Sequence, residues 1–410
     1  MSIRILLPST IHILRERPSH GVPSDRSEYS LYFANIIDPF RPEWDVQVHC
    51  PYGGNLGNCW RISDPFPRDV DEFPLTLEIF DEYGKHLTAK TVTVKLYDKQ
   101  LDADPFHVLF FGDSMTHLGH YVTHAVTRLY NVKTEGTRSF NGLIRMEGRG
   151  GWAMKTYFTK VAADRSSPSP FLFPDGVAGK DYYGDVAFYE AVRHPNHDPD
   201  GFDGYRYEAC RRGQYYLGEG KLWRNDELVD EAPTFSFDVA KYVERFGIER
   251  LDAVSVLMGA NDLQRKPYAE SETACAQYIA DLHTLIRAIR AYDNNVKILL
   301  NMPVLGSEQY HWGIRVKGSP TAKQYRHNIL RAAELMLAEF DNKEKEGIYL
   351  CPMVAVLDPE YGFDRLAVHP HMYSEALVEH QANWVHPNRQ GYYQMGDAIA
   401  ALIEAVRQSK

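Results

Sequence analysis

From His107 onward, short apolar runs alternate with segments of helical periodicity, and this alternation is the feature that most constrains the fold. The strand candidates are His107–Phe111, Val132–Glu135, Ala253–Met258, Val296–Leu300 and Ile348–Cys351. The helix candidates are Thr116–Tyr130, Phe237–Phe246, Glu272–Tyr292, Ala322–Phe340 and Tyr392–Arg407. Alternating strands and helices form a parallel sheet with helices on both faces. This part of the chain is therefore expected to be a three-layer α/β/α domain.

The first hundred residues follow a different pattern, in which short alternating strands are separated by turn residues. The strand candidates are Ser30–Ile36, Asp45–Cys50, Leu75–Phe80 and Thr91–Leu96. Since no helix is predicted here, the pattern favours an antiparallel β-sandwich of the immunoglobulin or jelly-roll kind. We expect two domains, a β-sandwich over 1–104 and a flavodoxin-like α/β domain over 105–410, with the linker near Asp98–Pro105.

A long insertion over about 156–234 interrupts the second domain and is rich in tyrosine. Its tyrosines include Tyr182, Tyr183, Tyr189, Tyr205, Tyr207, Tyr215 and Tyr216. Long connections in compact domains are often functional lids. Two interpretations stay open: the rings stack on sugars over a polar pocket, or they form a small satellite core. The segment Asp198–Gly204 resembles a calcium loop superficially, but it lacks the remaining ligands, so no metal is predicted.

Ser114 follows the first strand of this domain directly, in the block Gly112-Asp113-Ser114. Ligands bind at the carboxyl ends of strands in open α/β sheets, and a helix start offers free N–H groups. A serine in this position is either a helix N-cap or a nucleophile, and a nucleophile requires a base within reach. The block differs from Gly-X-Ser-X-Gly, so an α/β-hydrolase elbow is disfavoured.

Three further polar blocks follow in order along the chain: Gly148–Trp152, Met258–Asp262 and Trp384–Asn388. With the serine block they resemble the SGNH (GDSL-type) hydrolase superfamily of esterases, lipases and carbohydrate deacetylases. The resemblance extends over roughly 106–407, apart from the insertion. It implies a serine ester hydrolase that acts through an acyl-serine intermediate and needs no cofactor.

The resemblance assigns roles to individual residues. Ser114 would be the nucleophile and His386 the general base. The oxyanion hole would consist of the backbone N–H groups of Ser114 and Gly151 and the side-chain amide of Asn261. Residues expected to bind or border the substrate are Asp113, His117, Trp152 and Asp262.

One position departs from the superfamily pattern. The aspartate usually found three residues before the histidine is Asn383 in this chain. Three explanations stay open: Asn383 orients His386 as a neutral third member, a backbone carbonyl does so in a Ser–His dyad, or a carboxylate such as Glu379 substitutes. We favour an active dyad with Asn383 near the histidine.

Composition limits the binding partners and the cellular compartment that we expect for this chain. The chain has 410 residues and a net charge of −10, which argues against nucleic acid or an anionic membrane as the main partner. No apolar run is long enough for a membrane helix, and the first residues do not read as a signal peptide. Five scattered cysteines favour free thiols over a disulfide framework, although Cys50 and Cys59 could pair. A cytoplasmic location is expected.

The expected substrate is a short acyl ester, in particular an O-acetyl group on a carbohydrate. This expectation comes from the resemblance, because relatives with an added β-sandwich are often carbohydrate esterases. Two alternatives are kept: a general short-chain carboxylesterase or thioesterase, and a catalytically weak glycan-binding protein. The β-sandwich could bind sugar, act as a spacer or form a contact in a homo-oligomer.

Overall fold

A computed structural model describes residues 3–15, 28–140, 142–162, 167–192, 210–315 and 321–409. Its first part consists of nine strands and one short helix, in which the strands carry most of the buried apolar residues. They are β1 (Arg4–Ile5), β2 (Thr10–Leu14), β3 (Glu28–Tyr32), α1 (Phe33–Ile36), β4 (Ile37–Asp38), β5 (Asp45–His49), β6 (Gly54–Asn55), β7 (Cys59–Ser63), β8 (Glu72–Phe80) and β9 (His86–Tyr97).

These strands form a four-stranded sheet in the order β2-β9-β8-β5, a three-stranded sheet in the order β3-β7-β6, and the pair β1-β4. β2 runs parallel to β9, so the larger sheet is mixed and not purely antiparallel as predicted. The predicted strand Ser30–Ile36 ends at Tyr32, where α1 begins. Fully buried side chains from both sheets, such as Leu31 and Leu75, join one apolar core that continues into the rest of the chain.

Hydrogen bonds tie this first part to the α/β part. The side-chain amide of Asn35 is buried and donates to the carbonyl oxygens of Val354 (2.9 Å) and Leu357 (2.7 Å). Ser9 donates through its backbone N–H (3.0 Å) and its hydroxyl (2.7 Å) to the carboxylate of Asp341. Because each side satisfies buried polar groups of the other, the two parts hold a defined mutual orientation.

The remaining elements begin at Phe106. The strands are β10 (Phe106–Gly112), β11 (Val132–Glu135), β12 (Arg138–Phe140), β13 (Ile144–Gly148), β14 (Leu172–Pro174), β15 (Tyr182–Asp185), β16 (Tyr215–Gly218), β17 (Lys221–Arg224), β18 (Glu227–Asp230), β19 (Phe235–Phe237), β20 (Ala253–Leu257), β21 (Lys297–Asn301), β22 (Ile348–Cys351), β23 (Arg365–Val368) and β24 (Val378–Gln381). The α-helices are α2 (Ser114–His117), α3 (His120–Arg128), α4 (Met154–Thr159), α5 (Val186–Val192), α6 (Val239–Phe246), α7 (Ala260–Leu263), α8 (Ser271–Tyr292), α9 (Gln309–Arg315), α10 (Ala322–Phe340), α11 (Met353–Val356) and α12 (Arg389–Gln408). Three 3₁₀ turns cover Gly179–Asp181, Tyr268–Glu270 and Glu344–Glu346.

The central sheet contains the five predicted strands, all parallel, in the order β11-β10-β20-β21-β22. This is the flavodoxin order 2-1-3-4-5, and it makes β10 an interior strand. Every residue of β10 is buried, which explains its continuous apolar sequence. β13 pairs with the end of β10, and β12 adds an antiparallel edge.

The helices follow the predicted apolar periodicity with one interruption. α8 buries Tyr278, Leu282, Leu285 and Ile289, which lie on one face at helical spacing. The predicted helix Thr116–Tyr130 is divided into α2 and α3 at Gly119, whose φ of +69° lies in the left-handed region that glycine adopts without strain.

The described part of the insertion forms its own small unit. β15, β16, β17 and β18 make a four-stranded sheet, and β14 pairs with β19. Tyr183, Phe188 and Tyr189 are buried together in a separate apolar cluster. These tyrosines therefore match the satellite-core alternative and not an exposed stacking surface. Tyr205, Tyr207 and the segment Asp198–Gly204 fall outside the described residues.

All five cysteines are free thiols, including Cys50 and Cys59. Among the helices of the described ranges, none combines the length and the hydropathy that crossing a bilayer requires.

Candidate active site

Ser114 stands where β10 ends and α2 begins. Asp113 is the N-cap of α2, and its carboxylate accepts a hydrogen bond from the backbone N–H of Met115 at 3.0 Å. Gly112 precedes Asp113, and a Cβ added to Gly112 would lie 2.0 Å from the hydroxyl oxygen of Thr116. The glycine lets α2 fold back closely on the strand, and the cap sets the direction of the helix. Together they hold Ser114 at the carboxyl edge of the sheet.

His386 reaches Ser114 from the far end of the chain. Its Nε2 lies 2.7 Å from the Ser114 hydroxyl oxygen. The loop that carries it is fixed at the start of α12, where Asn388 accepts a hydrogen bond from the N–H of Gly391 at 2.9 Å. Burial lowers the pKa of His386 below its ordinary value of 6.5, because the imidazolium would lose hydration. At neutral pH the ring is therefore uncharged and can accept a proton.

Asn383 is beside His386, but it contacts the backbone and not the ring. Its side-chain oxygen accepts from the backbone N–H of His386 at 3.3 Å. Its own φ of +64° lies in the left-handed region, which asparagine tolerates better than most residues. The alternative carboxylate, Glu379, is 69% exposed in its side chain and pairs with Arg365 at 3.3 Å. In the described ranges neither of these side chains is bonded to Nδ1 of His386.

Gly151 and Asn261 are joined through a tight turn. The backbone N–H of Trp152 donates to the carbonyl of Arg149 at 3.3 Å, and Gly151 sits third in this turn with φ of +75°. The side-chain amide of Asn261 donates to the carbonyl of Trp152 at 3.0 Å, while its oxygen accepts from Gln264 at 2.8 Å. The amide is therefore held in one orientation beside the turn, as an oxyanion donor would need to be; that role itself stays a prediction.

Two of the residues expected to border the substrate, Asp113 and Trp152, are turned into the protein. Asp113 is 1% exposed, and Trp152, at 4%, packs edge-on against Tyr157. Asp262 accepts from the backbone N–H of Met154 at 3.0 Å. Burial raises the pKa of Asp113 to about 7 and that of Asp262 to about 6. The burial of Asp113 and Trp152 corrects the expectation that they contact substrate, whereas Asp262 is partly buried and its contact with substrate stays a prediction.

A cavity of about 440 Å³ opens over Ser114 and His386. Besides these two and Asn383, its polar lining consists of His117, His120, Asp364, Asn388 and Arg389. Leu118, Pro387 and Tyr392 are its apolar lining. Of the residues that sequence reasoning missed, Asn388 and Arg389 were signalled by their proximity to His386. Asp364 lies far from every recognised block and carried no signal.

A hydrogen bond with Arg138 fixes which ring nitrogen of His117 carries the hydrogen. Its Nδ1 lies 2.6 Å from a guanidinium nitrogen of Arg138, and both residues are buried. Because a guanidinium only donates hydrogen bonds, Nδ1 must accept and the hydrogen must reside on Nε2. The ring is thus an N–H donor, and His117 lines the cavity; its contact with substrate stays a prediction.

A buried ion pair lies directly under the Gly151 turn. Glu147 is completely buried, and its carboxylate is 2.7 Å from the guanidinium of Arg149, which is 2% exposed. The same carboxylate accepts from the Tyr242 hydroxyl at 2.7 Å and from the backbone N–H of Thr137 at 2.5 Å. Such a pair is stable only when both charges keep their partners. The sequence does not predict this ion pair, because a glutamate and an arginine next to glycines are typical of a surface loop.

Substituting Gly148 with alanine is expected to destabilise the protein by about 1–3 kcal/mol and to lower any hydrolytic activity. A Cβ there would lie 2.2 Å from the backbone nitrogen of His117, in a segment that cannot yield without moving α2. Gly150→Ala is the matched control, since no atom of the described ranges lies within 4 Å of the position of its Cβ and its φ is unstrained. Urea unfolding and ester hydrolysis would measure both variants. Equal stability of the two would contradict the packing of β13 on α2.

Comparison with known proteins links this geometry to a family. The family model described as GDSL-like Lipase/Acylhydrolase matches residues 108–399. No curated protein matches the chain. Among solved structures, a carbohydrate acetylesterase family member from Sinorhizobium meliloti is similar with a TM-score of 0.36 at 12% identity, covering 74% of this chain and 99% of that one. A possible lipase from Chitinophaga pinensis gives 0.35 at 13% identity, covering 73% and 98%.

Proposed function

The chain belongs to the family of GDSL-like lipases and acylhydrolases and is a serine ester hydrolase, and from that premise we propose that it removes short acyl groups, in particular acetyl, from carbohydrates. In this proposal Ser114 is the nucleophile and His386 the base. The observation that carries the proposal is the distance of 2.7 Å between the Ser114 oxygen and His386 Nε2 in the lining of a cavity of about 440 Å³.

The reaction proceeds in two halves. His386 Nε2 accepts the hydroxyl proton as the Ser114 oxygen attacks the acyl carbonyl carbon. The tetrahedral intermediate collapses when the same nitrogen returns the proton to the leaving alcohol oxygen, which leaves an acyl-serine. Water then attacks this ester with the same histidine as base, and the acid is released with Ser114 restored. The lowered pKa of His386 keeps it in the base form near neutral pH.

Neutral donors stabilise the negative charge on the carbonyl oxygen. We assign this role to the backbone N–H groups of Ser114 and Gly151 and to the side-chain amide of Asn261. An amide nitrogen carries two hydrogens, and Asn261 uses one of them on the carbonyl of Trp152, so the second can meet the oxyanion. A donor of this kind contributes roughly 10²–10³ in rate. His117, which lines the same cavity, is the proposed contact for the alcohol portion of the substrate.

The lining of the cavity favours a small acyl group and a polar alcohol. Its apolar lining comes from three residues, Leu118, Pro387 and Tyr392, beside eight polar ones. Burial of each methylene contributes about 0.8 kcal/mol, and an apolar wall of three residues has room for only a short acyl chain. Charged and hydrogen-bonding groups on the other walls, among them Asp364 and Arg389, suit the hydroxyl groups of a sugar.

The first part of the chain is proposed to be an accessory β-sandwich over 1–104, followed by the hydrolase domain over 105–410. The packing of its two sheets and the bonds from Asn35 to Val354 and Leu357 support a rigidly docked accessory domain.

Hydrolysis of p-nitrophenyl esters of increasing chain length tests the proposed specificity. We expect kcat/KM for the acetate to exceed that for the octanoate by at least about tenfold, equivalent to about 1.4 kcal/mol. Acetate release from a peracetylated hexose is expected as well, and a fluorophosphonate probe should label Ser114, as located by peptide mass spectrometry.

The outcomes separate the alternatives. Turnover of nitrophenyl esters without release from the acetylated sugar would favour a general carboxylesterase. A preference for octanoate would contradict the short-acyl proposal. No turnover and no labelling would reject the esterase mechanism and favour a glycan-binding protein.

A further inference from the structure

The two ring nitrogens of His386 differ in their surroundings. Nε2 faces the Ser114 oxygen at 2.7 Å. Nδ1 has no hydrogen-bond partner among the residues that the structure describes, and it does not belong to the unpaired atoms buried away from solvent. For Nε2 to accept the serine proton, the ring hydrogen must reside on Nδ1. An Nδ1–H that gains an acceptor during proton transfer stabilises the imidazolium and fixes the ring.

The acceptors closest to His386 along the chain are already engaged. The side-chain oxygen of Asn383 accepts from the His386 backbone N–H, and that of Asn388 accepts from the N–H of Gly391. Glu379 pairs with Arg365. Each of the three would have to share an acceptor group that already holds the loop or the hairpin in place.

Among the residues that the structure describes, Asp364 is the one acidic side chain that lines the cavity with His386 and Asn383. It stands at the base of the hairpin of β23 and β24, where its carbonyl oxygen accepts from the N–H of Ala382, the residue before Asn383, at 2.5 Å. Its side chain is exposed, and in the described ranges its carboxylate has neither a hydrogen bond nor an ion-pair partner. The Asp364 carboxylate, an acceptor without a donor, thus lines the same cavity as the His386 Nδ1–H, a donor without an acceptor.

We propose that Asp364 is the positioning residue for His386 and takes the place of the acid that Asn383 replaces. It accepts the Nδ1–H by a rotation of its own side chain as the imidazolium forms. This inference rests on the proposed esterase mechanism. The other titratable groups around the cavity, His117, His120, Arg389 and Tyr392, supply no carboxylate, so a negative charge beside the ring has to come from Asp364 once its side chain has rotated.

Four variants test the inference: Asp364→Asn, Asn383→Asp, the double variant that combines them, and Glu379→Gln as the control carboxylate on the same hairpin. For p-nitrophenyl acetate, Asp364→Asn is expected to lower kcat by about 10–100-fold with little change in KM. The acid limb of the pH profile should move to lower pH, because removal of a nearby negative charge lowers the pKa of an imidazole. Asn383→Asp in the Asp364→Asn background should restore most of the activity, and Glu379→Gln should remain within about twofold of the wild type.

A second readout does not depend on turnover. The midpoint pH of the His386 ring, measured by NMR titration of the folded protein, should be lower in Asp364→Asn and higher in Asn383→Asp than in the wild type. An unchanged His386 titration in Asp364→Asn would overturn the inference even if the protein were no esterase. An increase of KM in Asp364→Asn, without a titration shift and without rescue by Asn383→Asp, would also overturn it and make Asp364 a substrate-binding residue. If the titration shifts but the wild type has no Ser114-dependent activity, the proposed function fails alone.

Discussion

Ser114→Ala is expected to lower kcat for p-nitrophenyl acetate by about 10⁴-fold or more, to the background of the uncatalysed reaction with bound substrate. The Ser114 hydroxyl oxygen is the atom that attacks in the proposed mechanism, and it lies 2.7 Å from His386 Nε2. The cavity would still bind substrate, since its other lining residues are unchanged. Initial rates of the purified variant, combined with loss of fluorophosphonate labelling, measure the effect.

The fold should survive this substitution. Asp113, and not Ser114, caps α2, so the variant should unfold within a few degrees of the wild type. Ser374→Ala is the matched control, because its hydroxyl only accepts from the backbone N–H of Ala376 on an exposed loop. Activity retained in Ser114→Ala, with Ser374→Ala unaffected, would show that another group is the nucleophile.

Arg149→Met is expected to lower the free energy of unfolding by about 3–5 kcal/mol. The substitution leaves the fully buried Glu147 carboxylate without the guanidinium that lies 2.7 Å from it. The hydrogen bonds from Tyr242 and Thr137 remain, but they do not balance a full charge that has lost its hydration. Urea unfolding followed by circular dichroism at neutral pH measures the loss.

Glu147→Gln in the Arg149→Met background separates charge from packing. A neutral amide can still accept from Tyr242 and Thr137, so the double variant should recover part of the lost stability. If the double variant is no more stable than the single one, the lost packing of the arginine side chain dominates, and the account based on an unpaired charge is wrong.

Much of the α/β architecture could be predicted because it rests on local patterns. β10 and β20 are fully buried, so their continuous apolar sequences distinguish them from surface segments. α8 shows its buried face as a periodic stripe, and its predicted bounds differ from the observed ones by one residue at the start. The division between α2 and α3 at Gly119 was missed, since one glycine within a helical pattern is compatible with a continuous helix.

The polar parts of the site were less predictable. Ser114 and His386 stand next to recognisable glycine, proline and asparagine residues, and the structure brings their side chains together. Asp113 and Trp152 lie in the same kind of block but are buried, and Asp262 bonds the backbone of Met154. Local sequence does not reveal which of two adjacent side chains faces a cavity, because that depends on how distant segments cover them.

The sequence by itself determined the succession of strands and helices in the α/β part and the family, and it predicted the serine and the histidine, because these depend on residue type and spacing within one segment. Only the tertiary structure decided which groups surround them. The 2.7 Å approach of His386 to Ser114 spans 272 residues, and Arg138 reaches His117 across a sheet edge. Asp364 enters the cavity through the pairing of β23 with β24. Such juxtapositions arise from packing between segments far apart in the chain, and no local periodicity encodes them.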